Sequence, residues 1–172
     1  MKYLSQYKSP LGNIVLTANE DSLTGLWFEE NSFYKKPLDN NFIEKDLPIF
    51  DETKKWLDIY FSGRNPDFTP ALDLSGTKFQ VEVWNLLRTI NYGETTTYGK
   101  IAKQISEAKN IPGMSAQAVG QAIRHNKILI IIPCHRVVGT NGKLTGYTGR
   151  LDRKFKLLES EQASHKFNIQ IH

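Results

Sequence analysis

The sequence predicts an α+β fold: an N-terminal antiparallel β-sheet with one helix, then a mostly helical C-terminal region containing a helix-turn-helix. Three observations lead there. Short β-branched and aromatic runs fill residues 13–28, apolar residues at helical spacing fill 49–61 and recur after residue 78, and Pro66 and Pro70 break all periodicity between them. Charge divides at the same point. Residues 1–75 hold 8 Lys/Arg against 12 Asp/Glu, whereas residues 76–172 hold 14 against 6. We therefore set two domains, 1–75 and 76–172. The basic excess of the second fits either a phosphate-backbone partner or a solvated basic surface.

In the first domain, Asn13 to Ala18 and Leu23 to Phe28 read as strands about the turn Asn19-Glu20-Asp21-Ser22, with Tyr3 to Tyr7 as a third. Ile49, Phe50, Thr53, Trp56, Leu57, Tyr60 and Phe61 recur at helical spacing and Gly63 supplies a stop, so a helix is expected to cover the sheet. Residues 64–76 read as an extended connector. The second domain opens on Thr77-Lys78-Phe79-Gln80, the spacing of a capping box in which Thr caps a backbone N–H and Gln reaches back. Phe79, Val83, Leu86, Leu87 and Ile90 then form an apolar stripe ending before Gly93.

A shorter helix is expected from Tyr98 to Ser106, with Ile101, Ala102 and Ile105 inward, and another from a Ser115 cap to Arg124. These two form the helix-turn-helix. Ala116, Ala118, Gly120 and Ala122 let the second helix lie close to a neighbour, either DNA or the first helix. The aliphatic run 128–132 reads as a buried extended segment delivering Pro133-Cys134-His135-Arg136-Val137-Val138. Turns at Asn141-Gly142 and Gly146-Tyr147-Thr148-Gly149 precede a last amphipathic helix marked by Leu151, Phe155 and Leu158.

At 172 residues, 40% hydrophobic and 23% charged, the chain is long enough to bury a core and is not disordered, collagenous or coiled-coil. Its longest aliphatic run falls far short of the ~20 residues of a membrane span. The first eight residues lack the apolar core of a secretory signal, so a cytoplasmic location with no membrane partner is expected. The single cysteine, Cys134, excludes an internal disulfide and a multi-cysteine zinc site. No glycine-rich phosphate loop or metal-ligand cluster is visible, and no cofactor is expected.

Cys134 by itself reads most plainly as a small buried hydrophobe. Its neighbours, a preceding proline and the following His135 and Arg136, are those that favour a thiolate. In an extended segment consecutive side chains face opposite ways, so His135 reaches the sulfur only through a turn or a bridging water. The six residues Pro133 to Val138 resemble the active-site signature of the O6-alkylguanine-DNA alkyltransferases, the methylated-DNA--protein-cysteine methyltransferase family. The resemblance extends in order through Gly76-Thr77-Lys78-Phe79-Gln80 with Val83-Trp84, Tyr92 to Tyr98, Ala118-Val119-Gly120, and Leu157 to Glu161. It is looser in the first domain, at Ser9-Pro10-Leu11-Gly12 and Tyr60-Phe61-Ser62-Gly63.

The resemblance implies a ribonuclease H-like first domain and a second that binds DNA and accepts the alkyl group. It implies that a flipped O6-alkylguanine, and by extension O4-alkylthymine, gives its alkyl group to Cys134. A thioether has no easy leaving group, so the protein is consumed in one turnover. Carried over by position, His135 is the base through water and Glu161 orients it. Tyr98 donates to guanine N3, and Asn126 ties the recognition helix to the active-site segment. Gln117, Ala118, Ile123 and Arg124 face DNA or the flipped base, while the Val137 backbone, Tyr147 and Thr148 form the pocket. The implied partner is duplex DNA, entered through the minor groove by a monomer with no obligatory protein partner.

Three positions depart from the family's common pattern: Gln117 replaces an intercalating arginine, Lys127 a proline and Arg150 a glycine. Arg150 is expected either to touch phosphate or to restrict bulky alkyl groups. Two rival readings remain distinguishable. A cysteine hydrolase built on Cys134, His135 and Glu161 would turn over. An alkyltransferase-like lesion binder would carry another residue where this chain has Cys134.

Overall fold

The computed structural model describes residues 1–30, 41–161 and 170–171. It divides into two compact units, one of residues 1–75 with 127–129, the other of 76–126 with 130–172. The architecture is α+β, as the sequence predicts.

In the first unit, β1 (Lys2–Ser9), β2 (Gly12–Ala18) and β3 (Leu23–Phe28) form an antiparallel meander, with Ser5 opposite Leu16 and Leu16 opposite Leu26. A fourth strand, β4 (Phe42–Glu44), pairs in parallel with β1, so the sheet is mixed, in the order β3-β2-β1-β4. Three residues are too few to show a period of two, which is why the sequence does not reveal this edge. α1 (Pro48–Phe61) packs on β1, β2 and β3 through Ile49, Phe50, Trp56, Leu57 and Tyr60. Pro48 opens it where a missing N–H costs nothing, and Gly63, at φ +88°, follows its end. Leu26 N–H donates to Lys127 O and Leu129 N–H to Leu26 O, so residues 127–129 extend the β3 side of the sheet.

The second unit begins with α2 (Lys78–Leu87), whose capping box is complete: Gln80 N–H donates to Thr77 Oγ1, and Thr77 N–H to Gln80 Oε1. The helix ends earlier than its apolar stripe. Ile90 lies beyond it, and its carbonyl accepts from Arg136. β5 (Thr96–Thr97) leads into α3 (Tyr98–Lys109), capped by Thr97, and α4 (Ala116–Arg124) is capped by Ser115. α3 buries Ile101, Ala102 and Ile105; α4 buries Val119, Ala122 and Ile123. The two pack together as the predicted helix-turn-helix.

The run at 128–132 is buried throughout but is not an extended strand. Ile128 bridges Leu26, Ile130 turns at φ +70°, and Cys134 N–H donates to Ile132 O. A continuous aliphatic run reports burial without fixing the chain path, and here the path is a turn. Cys134–Arg136 form one 3-10 turn, followed by β6 (Val137–Val138), which pairs in parallel with β5. β7 (Lys143–Leu144) and β8 (Gln170–Ile171) make a second short ladder. Between them α5 (Leu151–Ser160) packs Leu158, Leu151 and Phe155 against Val138 and Leu144. Among the described residues no helix is long and apolar enough to cross a membrane.

Candidate active site

A cavity of about 610 Å³ opens between α4, the start of α3 and the loop after β7. α4 supplies Gln117, Gly120, Gln121, Ile123 and Arg124. Its opposite face is fixed by Val119 and by the indole of Trp84, whose Nε1 donates to Ala122 O over 2.8 Å. Bare Gly120 gives room near the Tyr98 ring. Of the small residues of α4, Gly120 faces Tyr98 at the start of α3 and Ala122 is buried.

Cys134 reaches the cavity wall while only 3% exposed. Burial pushes its thiol up to about 11, against a hydrogen bond from Asn126 and the positive charge of Lys154, both of which favour the anion. Asn126, fully buried after the end of α4, also donates from Nδ2 to Ile132 O at 3.0 Å. It therefore holds both the segment before the cysteine and the sulfur itself.

The 3-10 turn places three successive side chains on different faces. His135 and Arg136 turn towards Glu161, at the C-cap of α5, while Cys134 faces the cavity. His135 Nε2 lies 2.7 Å from Glu161 Oε2. Arg136 donates Nε to Oε1 at 2.8 Å and Nη2 to Oε2 at 3.2 Å, and Gly93 N–H adds a bond to Oε1 at 3.1 Å. Burial alone would raise the Glu161 carboxyl, but His135 and Arg136 more than reverse this and hold it below the usual carboxylate range. Burial lowers the His135 imidazole, with Glu161 opposing and Arg136 assisting. Arg136 is thus the cation that compensates Glu161, and burial favours the neutral form of the imidazole. A neutral ring that donates Nε2–H to this carboxylate has Nδ1 as its acceptor nitrogen.

These shifts fix the sign of a pH effect. An unfolded histidine takes a proton below about 6.5 that buried His135 resists, and an unfolded glutamate takes one below about 4.5 that Glu161 resists. Both make the unfolded state bind more protons as pH falls. Unfolding free energy should therefore fall from pH 7 towards pH 4, with a slope of at most about 1.4 kcal/mol per pH unit for each group, and melting temperature should fall with it. His135→Gln should remove the upper part of the drop; an unchanged profile in that variant would place the acid sensitivity elsewhere.

Of the residues expected at the site, Cys134, Tyr98, Gln117, Ile123, Arg124, Tyr147 and Thr148 line the cavity. His135, Glu161 and Asn126 stand behind Cys134 rather than on the wall. Ala118 is half-buried away from it, and Val137 has its side chain fully buried in β6 with its N–H donating to Cys134 O. Arg150 does not line the cavity: its guanidinium pairs with Asp152 at 3.1 Å, and its backbone sits at φ +81°. Lys127 Nζ donates to Ser75 O.

Sequence reasoning assigned no site role to Lys154, Thr145 or Gln121, read Gly146 only as part of a turn, and read Arg136 only as a cation beside Cys134, not as the partner of Glu161. The signal for Lys154 is visible in retrospect. It lies three residues after Leu151 and four before Leu158, inside the apolar stripe of α5, where a solvated lysine does not belong. Gln121 follows Gln117 by four residues and so shares its face.

Comparison with known proteins places this geometry. The family model described as 6-O-methylguanine DNA methyltransferase, ribonuclease-like domain, matches residues 2–74, and that of the DNA binding domain matches 78–163. A methylated-DNA--protein-cysteine methyltransferase of Methanosarcina acetivorans is 42% identical over 159 residues, covering 92% of this chain and 97% of that one. One from Mycobacterium tuberculosis is 44% identical, covering 90% and 89%. Crystal structures of Mycobacterium tuberculosis O6-methylguanine methyltransferase, and of Mycobacterium tuberculosis OGT in complex with DNA, superpose at TM-scores of 0.81 and 0.80. Each is 40% identical; they cover 95% and 94% of this chain, and the chain covers 94% and 93% of theirs. With both domain models matched in order and relatives above 40% identity over nine-tenths of its length, the chain belongs to the 6-O-methylguanine DNA methyltransferase family.

Proposed function

We propose that this protein repairs alkylated DNA by moving the alkyl group from O6 of guanine onto Cys134 Sγ in one irreversible turnover. It is a methylated-DNA--protein-cysteine methyltransferase in activity as in family. One observation carries the choice of acceptor: the chain holds a single cysteine, and its sulfur lies on the cavity wall in front of the His135–Glu161 pair.

The thiol proton passes through a water to His135 Nδ1, and Glu161 steadies the imidazolium that forms. The thiolate attacks the alkyl carbon, the S–C bond forms and the C–O6 bond breaks. Its electron pair remains on the guanine, where the Tyr98 phenol donates to N3. Burial raises that phenol, so it remains protonated and able to donate. The Val137 carbonyl accepts from the guanine amino group, and Tyr147 and Thr148 close over the base. O4-alkylthymine offers an equivalent carbon to the same sulfur.

Reaching the cavity requires the base to leave the stack. α4 enters the minor groove, with Arg124 on phosphate, Ile123 against the flipped base and Ala118 close to the duplex. Residues 76–172 do this work and residues 1–75 scaffold it. The protein acts as a cytoplasmic monomer and needs no cofactor, since sulfur and lesion are the only reactants. Intact mass spectrometry after incubation with O6-methylguanine duplex should show a gain of one methylene on the peptide carrying Cys134. Unmodified protein would sink the proposal.

Gln117, on the cavity lip, stands where an arginine would fill the vacated stack. Unstacking and unpairing cost a few kcal/mol, and glutamine offers hydrogen bonds but a smaller plane and no charge to offset them. Gln117→Arg should raise the transfer rate on duplex DNA and leave the rate on the free alkylated base nearly unchanged. An equal rise in both would mean that the residue acts on the pocket.

A further inference from the structure

We propose that Gly93 is a positioning residue for the His135–Glu161 pair: its N–H and its missing side chain together fix the Glu161 carboxylate so that Oε2 is presented to His135. The inference deepens the reading above and rests on it. Gly93 is the third residue of a turn after α2, closed by Glu94 N–H donating to Asn91 O at 3.0 Å. Its φ of +79° is one that glycine adopts freely and other residues rarely do. The turn accounts for that angle. It does not account for where the Gly93 N–H points, because the third N–H of such a turn takes no part in closing it. Here that N–H donates to Glu161 Oε1 at 3.1 Å in a buried setting. A Cβ on Gly93 would lie 3.2 Å from Glu161 O, a backbone atom at the C-cap of α5 rather than the end of a flexible side chain.

The carboxylate is held at both oxygens. Oε1 accepts from Gly93 and from Arg136 Nε at 2.8 Å, while Oε2 accepts from Arg136 Nη2 at 3.2 Å and lies 2.7 Å from His135 Nε2. The same short segment holds the opposite charge. Ile90 O accepts from Arg136 Nη1 at 2.7 Å, and the Tyr92 ring lies 5.8 Å from the guanidinium. Residues 90–93 thus grip both members of the buried ion pair. With Oε1 fixed by two charge-assisted bonds, the carboxylate cannot turn from His135 without breaking them. A side chain at position 93 would press on the Glu161 main chain and lengthen the 2.7 Å contact. His135 is fully buried, so bulk water would not replace the weakened partner.

The test joins a rate to a spectroscopic signature. The His135 Nε2–H proton, assigned by its loss in His135→Gln, resonates further downfield the shorter its bond to Glu161. Gly93→Ala should move that resonance upfield and slow single-turnover transfer about tenfold, on methylated duplex and on the free alkylated base alike, the worth of one hydrogen bond to a charged group. Lesion binding should not change, since Gly93 does not line the cavity. Gly63→Ala is the control: φ there is +88° and nothing lies within 4 Å of an added Cβ, so it brings the backbone strain without the contact. It should lower the melting temperature and leave rate and resonance as in wild type. Should Gly93→Ala not fold, Gly93→Asn gives the same readings, because asparagine tolerates positive φ better and still brings a Cβ. An unmoved Nε2–H resonance, or an equal loss of rate in Gly63→Ala, would overturn the inference. A wild-type protein that gains no alkyl group on Cys134 would instead remove the functional reading, and the resonance would still report whether Gly93 positions Glu161.

Discussion

Cys134→Ala should end alkyl transfer completely while lesion-bearing duplex still binds. The loss is total rather than graded because the chain has no second thiol to accept the alkyl group. Removing Sγ from its buried position should cost about 1 kcal/mol, comparable to deleting one buried methyl, so the fold survives. Gln117, Arg124 and Tyr98 keep their places on the cavity. Binding measured by fluorescence anisotropy and melting temperature should therefore stay close to wild type while the mass shift disappears. Transfer persisting in the variant would put the acceptor elsewhere. Loss of binding together with transfer would make Cys134 a structural residue.

The largest effect on stability should come from Arg136→Met. Glu161 would keep His135 and the Gly93 N–H but lose the cation that makes two of its hydrogen bonds. Breaking one side of a buried pair costs about 3–5 kcal/mol, since the other charge stays behind without compensation. For a chain of this size that corresponds to a melting temperature lower by roughly 6–20 °C. A kinetic consequence follows, with a definite sign. The Arg136 charge disfavours protonation of His135, so its removal raises the imidazole pKa and moves the acid limb of the transfer profile to higher pH. Arg136→Lys, which keeps the charge without the fork, should fall between. A melting temperature within 2 °C or so of wild type would show that Glu161 is balanced by other groups.

What the sequence made legible was local. The Thr77 and Gln80 capping box, the Ser115 cap and Gly63 each act within a few residues, and each appears where expected. Pairing at long range was not legible: β4 has three residues, and β5 through β8 two each, below the length at which alternation means anything. The same limit explains residues 128–132, where burial was evident and the turn was not.

The candidate site divides likewise. Periodicity and composition singled out Cys134, but Tyr98, Gln117, Ile123, Arg124, Tyr147 and Thr148 were reached only through family resemblance. Nothing local ties those six together; they meet because α3, α4 and the loop after β7 do. The pairing of Arg136 and the burial of Lys154 escaped because charged residues are read as surface until their partners are known. Those partners lie 25 residues away for Arg136, in Glu161, and 9 and 8 for Lys154, in the Thr145 and Gly146 carbonyls.

A nucleophile used once has a vulnerability that a recycling enzyme lacks, since any stray reaction removes the molecule from service. Peroxide and soft electrophiles attack the exposed thiolate far faster than the buried thiol. Cys134 sits 3% exposed with its thiol held up near 11, so almost none of it is anionic at neutral pH. In the proposed reaction the proton is drawn off by the His135 relay. Burial that looks like a handicap for a nucleophile should therefore act as shelf life: peroxide and iodoacetamide should modify the free protein more slowly than an exposed cysteine.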